Sequence, residues 1–195
     1  MVLTRSNSRN NTTGFTLIEL MVTVAIAAIL IMVALPSLRG IVLGNQIQAA
    51  SSEFQSALAM ARAEAIKRGG DARVTIVASK GSSGTPTWTS GVTVFYDTTS
   101  NANANVAQGI DASKLLMQTS PTATAVAVST NFSSLTYNGL GRTIGASGGL
   151  AGGTAAFGSA DYGWRCVIVS LQGRSRTVVM SNADYVAVGG GCPTN

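Results

Sequence analysis

Histidine is absent from all 195 residues. Its absence removes the usual general base near neutral pH, the Ser-His-Asp and Cys-His arrangements, and the commonest zinc ligand. Cysteine occurs only twice, at Cys166 and Cys192. That spacing makes neither a C-x-x-C redox motif nor a zinc knuckle. Charge is scarce too: Asp, Glu, Lys and Arg together are 11% of the chain, against about 25% in an average soluble protein. No acidic or cysteine cluster gathers in the sequence. The glycine-rich stretch 145–158 lacks the G-K-[ST] ending of a phosphate loop. No catalytic, cofactor or metal site is expected, and the chain does not read as an enzyme.

What remains is apolar and small. Hydrophobic residues are 46% of the chain, with 22 glycines, the profile of a β-rich secreted or surface domain. The length suits one modest domain plus an apolar segment. The net charge is +5, but Arg5 and Arg9 stand at the extreme N-terminus, leaving +3 beyond them. This mild basic bias is no nucleic-acid signature by itself.

The apolar segment is "GFTLIELMVTVAIAAILIMVALP", Gly14 to Pro36. Phe15 to Leu35 is 21 residues. As a helix it would span about 32 Å, close to a hydrocarbon core of about 30 Å. A cleaved secretory signal has a shorter apolar core followed by a small-residue site; here Ala25-Ile26-Ala27 lies inside the run. Arg5 and Arg9 before the run keep the N-terminus cytoplasmic and send the rest outward. The run holds one charge, Glu19. An acid at the bilayer centre costs roughly 2.5–3.5 kcal/mol on insertion scales. Snorkelling from a position near the helix start is the plain account of it, and an uncleaved signal anchor is the plain account of the run.

Gly14-Phe15-Thr16-Leu17-Ile18-Glu19-Leu20, after a short basic leader and ahead of the apolar run, closely resembles the processing site of type IV prepilins and type II secretion pseudopilins. The resemblance implies that a prepilin peptidase cuts between Gly14 and Phe15 on the cytoplasmic side, and that the new amine of Phe15 is N-methylated. It also implies a role for Glu19: pairing with the N-terminal amine of a neighbouring subunit. The physics agrees, since a carboxylate in low dielectric is tolerable when a cation meets it. Every incoming subunit would carry that cation.

After Pro36, Leu38, Ile41, Val42, Ala50, Phe54, Leu58, Ala61 and Ala65 recur in steps of three and four, which predicts an amphipathic helix. Lys67 and Arg68 suit its C-terminal dipole, Gly69-Gly70 its cap, and Glu64 with Arg68 an i,i+4 pair. Pro36 is expected to kink or interrupt the join. From Arg73 the period becomes two. Strands are predicted at 73–79, 91–97, 132–139, 164–170 and 174–180, with shorter candidates at 114–120 and 124–130. Leu171-Gln172-Gly173 turns the last pair into a hairpin. Residues 98–109 read as a surface loop and 145–158 as a flexible connection.

The order predicts an α+β, pilin-like fold: one long N-terminal helix, half in the membrane and half amphipathic, packed on a C-terminal antiparallel β-sheet head. The expected division is a leader at 1–14, a transmembrane and assembly helix at 15–36, an amphipathic helix at 37–69 and a β-rich head at 70–195. "SALAMARAEAIKRGGDARVTI", "LTYNGLGRTI" and "WRCVIVSLQGRSRTVVM" resemble the minor-pilin group that includes FimT, FimU and the secretion pseudopilin GspH. That resemblance implies other major and minor pilins or pseudopilins as partners, and no small-molecule substrate. It implies residence in the inner membrane with the head in the periplasm, then in a pilus or pseudopilus.

Export would place the head in an oxidising compartment, so Cys166 and Cys192 are expected to form a disulfide. Two separate thiols, or a bond to another protein, are the alternatives. Gly173-Arg174-Ser175-Arg176 resembles a G-R-x-R pattern of FimT-like proteins, which are associated with DNA capture in natural transformation. On a strand, Arg174 and Arg176 share one side about 7 Å apart, a separation suited to neighbouring phosphates. Arg142, Lys80 and Lys114 are candidates to extend the patch. Double-stranded DNA is therefore a candidate partner, bound weakly and without sequence preference. An ordinary solvated turn is the alternative.

Overall fold

A computed structural model describes residues 14–81, 85–97, 113–145 and 148–193, with the side chains of 33–37 and 97 outside the description. The expected loop at 98–109 and all of the leader before Gly14 lie outside the described residues. The chain divides into two units, 1–39 and 40–195.

Helix α1 runs Leu17–Arg68, 52 residues without a break in its helical backbone. Pro36 therefore does not interrupt it. Proline lacks an N–H and crowds the preceding turn, yet the backbone stays helical on both sides. Within the second unit the buried stripe is Ile47, Ser51, Phe54, Ala57, Leu58, Ala61 and Ala65. The expected stripe began earlier. Leu38, Ile41 and Val42 are instead exposed. The helix ends as its sequence predicts: the Gly69 amide donates to the Ala65 carbonyl at 3.0 Å, and Gly69 and Gly70 both take positive φ. Glu64 accepts from Arg68 at 2.7 Å and meets Lys67 at 3.6 Å. The Arg68 hydrogen bond, ahead of the other contributions, holds the Glu64 carboxyl below its usual range. Arg68 also lies over the Tyr96 ring at 4.2 Å.

The head carries two antiparallel sheets, where the sequence suggested one. Strands β1 (Arg73–Ala78), β2 (Val92–Asp97), β3 (Leu115–Gln118), β5 (Ser134–Asn138) and β6 (Thr143–Ile144) form the first, in the order β3-β2-β1-β5-β6. Strands β4 (Ala127–Thr130), β7 (Gly153–Ser159), β8 (Gly163–Val169) and β9 (Ser175–Met180) form the second, in the order β4-β7-β8-β9. Both contribute to one core with α1: Val74, Ile76, Val94 and Leu135 from the first, Ala155, Phe157, Val167 and Val169 from the second. Phe54 packs within 5.5 Å of Phe157, 6.1 Å of Trp88 and 6.5 Å of Phe132, ring centre to ring centre.

Strand β7 corrects the reading of 145–158 as a flexible connection. It pairs with β4 on one side and β8 on the other, and Ala155, Ala156 and Phe157 are buried. Its glycines belong to tight packing. A Cβ on Gly158 would sit 2.6 Å from the Trp164 ring and 2.8 Å from its Cα. Glycine there signals close approach of neighbouring backbone and side chain.

The outer face of β8 is covered by the C-terminal tail. Helix α2 (Asn182–Ala187) is capped by Ser181, whose hydroxyl accepts from the Asp184 amide at 3.2 Å. Trp164 stacks on Tyr185 with centres 3.7 Å apart and donates from Nε1 to Asn182 at 3.1 Å. The Cys166–Cys192 disulfide, with Cα atoms 5.6 Å apart, ties the tail to β8.

The disulfide separates its cysteines by 26 positions, so the chain-entropy model assigns it about 3.5 kcal/mol. Reduction should lower the stability of the protein by roughly 2–4 kcal/mol. Denaturant unfolding with and without reductant measures this. Thiol labelling of the denatured, unreduced protein should find no free cysteine.

Candidate functional site

Gly14, Phe15 and Thr16 precede α1 and are exposed, so the Gly14–Phe15 junction lies outside helical hydrogen bonding. Among the described residues nothing stands within 4 Å of a Cβ built on Gly14. The Thr16 hydroxyl accepts from the Glu19 amide at 3.3 Å, and the Thr23 hydroxyl donates to the Leu20 carbonyl at 2.9 Å. Glu19 thus stands in the first helical turn, where the exposed N–H groups favour an anion. Among the described residues no cation pairs with it.

The large apolar residues of this segment are exposed, from Phe15 at 78% to Met32 at 78%. Among the described residues no helix is long and apolar enough to cross a membrane. What the segment presents is a continuous apolar surface with one carboxylate near its start.

The second feature is a pair of interlocked turns in the head. The β5–β6 turn is built by Asn138, whose side chain accepts from the amides of Leu140 at 3.1 Å and Arg142 at 3.0 Å. The β8–β9 turn closes through the Gly173 amide, which donates to Ser170 at 2.8 Å. Thr143 ties the two together, donating from its amide to Leu171 at 3.3 Å and from its hydroxyl to Ser170 at 2.8 Å. The Tyr137 hydroxyl donates to the Gly173 carbonyl at 3.4 Å. Gly173 has φ 76°, and any Cβ there would collide with the Gly141 carbonyl oxygen. Two independent reasons therefore require glycine at the head of G-R-S-R.

These turns place the three predicted arginines. Ser175 pairs with the buried Val169 and Arg176 with Ile168, so Arg176 faces away from the core. Arg174 precedes β9; its carbonyl accepts from the Ser170 amide at 2.9 Å, and its side chain stands at the edge of a groove that Ser175 also lines. Both are exposed, as is Arg142 on the adjoining turn. None of the three pairs with an acid among the described residues. Lys80 sits at an isolated bridge with Pro86, and Lys114 just precedes β3; the bonds that interlock these turns involve neither.

One cation escaped the sequence reading. Arg62, on α1, reaches the same corner, and its Nε would lie 3.2 Å from a Cβ on Gly141. It lines a groove of about 540 Å³ with Leu58, Ile66, Tyr137, Arg174 and Ser175. Its position three residues before Ala65 and four after Leu58 placed it beside the buried stripe, which was the available signal.

Residues 50–173 match the family described as "Type II transport protein GspH", and residues 9–35 match the "Prokaryotic N-terminal methylation motif". Two crystal structures of the type IV minor pilin FimU from Pseudomonas aeruginosa strain PAO1 are similar. Each is 20% identical, over 71% and 70% of this chain and 91% and 94% of that one, with TM-scores of 0.47 and 0.43. No curated protein matches the chain.

Tyr137 is fully buried. Burial pushes its phenol up to about 12, against a smaller opposing pull from Arg62. A raised pKa in the folded state means that its contribution is intact below about pH 10 and is lost as pH rises toward about 12. Stability should fall in that window, and Tyr137→Phe should flatten the fall. Ultraviolet titration of the phenols should show one late step that disappears in the same variant.

Proposed function

Because the chain belongs to the GspH family and carries the prokaryotic N-terminal methylation motif, we propose that it is a non-catalytic filament subunit, a minor pilin of a type IV pilus. In this reading a prepilin peptidase removes residues 1–14, Phe15 is N-methylated, and residues 15–36 hold the subunit in the inner membrane. Residues 37–69 are the amphipathic half of the helix, and the head of 70–195 is displayed in the periplasm and then on the filament. The observation that carries the proposal is the exposed apolar surface from Phe15 to Met32 with Glu19 as its one charge. The described core of the head uses no residue before Leu43, so this surface is left for lipid and for other subunits. An unpaired carboxylate penalises the lone subunit. Pairing with a neighbour's Phe15 amine removes the penalty in a water-poor bundle, which favours assembly.

A second reading, a pseudopilin of a type II secretion system, draws on the description of the matching family. Deleting the gene separates the two: loss of surface pili favours the pilus, and loss of exoprotein secretion the pseudopilus. Within the pilus reading, the exposed Arg174 and Arg142 on adjoining turns and Arg176 at the start of β9 support weak, sequence-independent contact with double-stranded DNA in transformation.

Two expectations follow from these assignments. Glu19→Ala should insert, be cleaved to begin at Phe15 and be methylated, as read by mass spectrometry. It should nevertheless be depleted about tenfold from sheared filaments by immunoblot, since it keeps the apolar surface and loses the pairing. Normal incorporation would leave Glu19 as a snorkelling residue. For DNA, the protein should bind duplex with micromolar or weaker affinity and lose it with salt at a slope near −0.9 per phosphate contacted. The double variant Arg174→Gln, Arg176→Gln should weaken binding equally on unrelated sequences. Coincident titration curves at low salt would make these arginines a solvated turn.

A further inference from the structure

The C-terminal tail, 181–193, hangs from two points. Among its described residues only Tyr185 and Cys192 are buried. Tyr185 stacks on Trp164, whose Nε1 donates to Asn182, and Cys192 is bonded to Cys166. Between these anchors lie Gly189, Gly190 and Gly191, the first two at positive φ, and glycine loses the most conformational freedom when it is ordered. Helix α2 has 6 residues, too few to persist without packing. What the tail covers is separate from the main core: Ala156 and Cys166 on the outer face of the second sheet, with Trp164, Ile168, Val178 and Met180 around them. The described core that α1 shares with both sheets uses no tail residue. Cys166 is held by strand pairing on both sides, opposite Ala156 and Val178, so its place does not depend on the tail.

We propose that the Cys166–Cys192 bond is a redox latch: the head folds with its tail open, and oxidation then closes the tail over the outer face of β8 and β9. In the open form Cys166 is a thiol on an uncovered sheet face and Cys192 a thiol on a loose tail. Closure is thiol–disulfide exchange with an external disulfide oxidant. The Cys192 thiolate attacks the oxidant's disulfide, forming a mixed disulfide and releasing one of its sulfurs as a thiol. The Cys166 thiolate then attacks the Cys192 Sγ and releases the other. The two cysteines give up two electrons and two protons, and the oxidant leaves as a dithiol. Before closure the subunit presents an apolar strip and a reactive thiol beside the edge strand β9; after it both are hidden. The outer face therefore reports whether oxidation is complete, while the two-sheet core is the same in both forms. A plain staple would behave differently, leaving the tail docked when the bond is missing and lowering only global stability. The inference rests on the filament-subunit reading only for the oxidising compartment that supplies the oxidant.

The test uses the full chain in detergent micelles, as wild type and as Cys192→Ser, which removes the bond and leaves Cys166 as a reporter. Under native conditions a maleimide should label Cys166 of this variant within about tenfold of its rate in the denatured chain, because local opening of the tail leaves that thiol in water. Hydrogen exchange read by mass spectrometry should be at least about a hundredfold faster for the amides of 182–188 in the variant than in the wild type, and unchanged for β1 and β2. Cys166→Ser should give the same exchange pattern, which decides the matter if Cys192→Ser fails to fold. The proposal is overturned if Cys166 is labelled only as fast as the whole head unfolds, or if 182–188 stays protected, because the tail then docks without the bond. It is also overturned if both variants lose protection in β1, because the core would then need the latch. Labelling and exchange need neither export nor a filament, so their failure removes the latch alone, while failure of the filament reading would appear in the incorporation of Glu19→Ala.

Discussion

Phe54 stands where α1 meets both sheets, and the arrangement of the head depends on that contact. Its ring touches Phe157 of the second sheet, and Trp88 and Phe132 from the connecting segments. Full burial of such a side chain contributes about 1.5–3 kcal/mol. Around it the helix offers mainly small buried residues, Ala57, Ala61 and Ala65. One stripe of one helix therefore fills the interior of two sheets. Neither sheet alone has that core: Val74, Ile76 and Leu135 on one side and Val167 and Val169 on the other share it.

A helix committed to the core along Ile47–Ala65 has its earlier turns free for another purpose. The first unit, 1–39, is a helix whose described apolar side chains are exposed from Phe15 to Met32. In water, a continuous surface of this kind marks an interaction or membrane site. A charge in the middle of such a surface would cost most; near the helix start, Glu19 meets the favourable dipole and keeps its carboxylate available. Local helix chemistry and the proposed intersubunit pairing therefore ask for an acid at the same position, while the Glu19 amide is answered separately by the Thr16 hydroxyl.

Much of this architecture was legible in the sequence because its signals are local. The three-and-four spacing around Phe54, Leu58 and Ala61, the glycine stop after Arg68 and the alternation in 164–170 and 174–180 all report on neighbouring residues. What was missed depends on contacts distant in sequence. Strand β7 reads as a glycine-rich linker because Gly158 makes room for Trp164, and nothing within 145–158 carries that information. The division into two sheets follows from β1 pairing with β5 and β7 with β4, which strand periodicity does not specify. Helix α2 was legible in principle: Ser181 and Asp184 have the spacing of a capping box, but six helical residues were too few to show periodicity. Arg62 was hidden for the opposite reason, since a single arginine on an amphipathic helix looks like any solvated cation until Gly141 and Gly173 are seen beside it.

The cations of the head divide by the shape of the surface that carries them. Arg68 is answered locally by Glu64 and Tyr96, and Arg165 donates to Gln48 at 3.3 Å. Arg142 and Arg176 stand on exposed turn and strand surface, where water screens them and their attraction for an anion is long-ranged but shallow. Arg62 lies in a concavity with low-dielectric walls, where the same charge acts more strongly and over a shorter range. Surface charge of the first kind distinguishes little beyond sign. The two interlocked turns hold both kinds of cation within one corner of the head. Gly173 makes this possible, because only a residue without a side chain lets the β8–β9 turn rest against Gly141 while the chain turns back to present Arg174 at the edge of the groove.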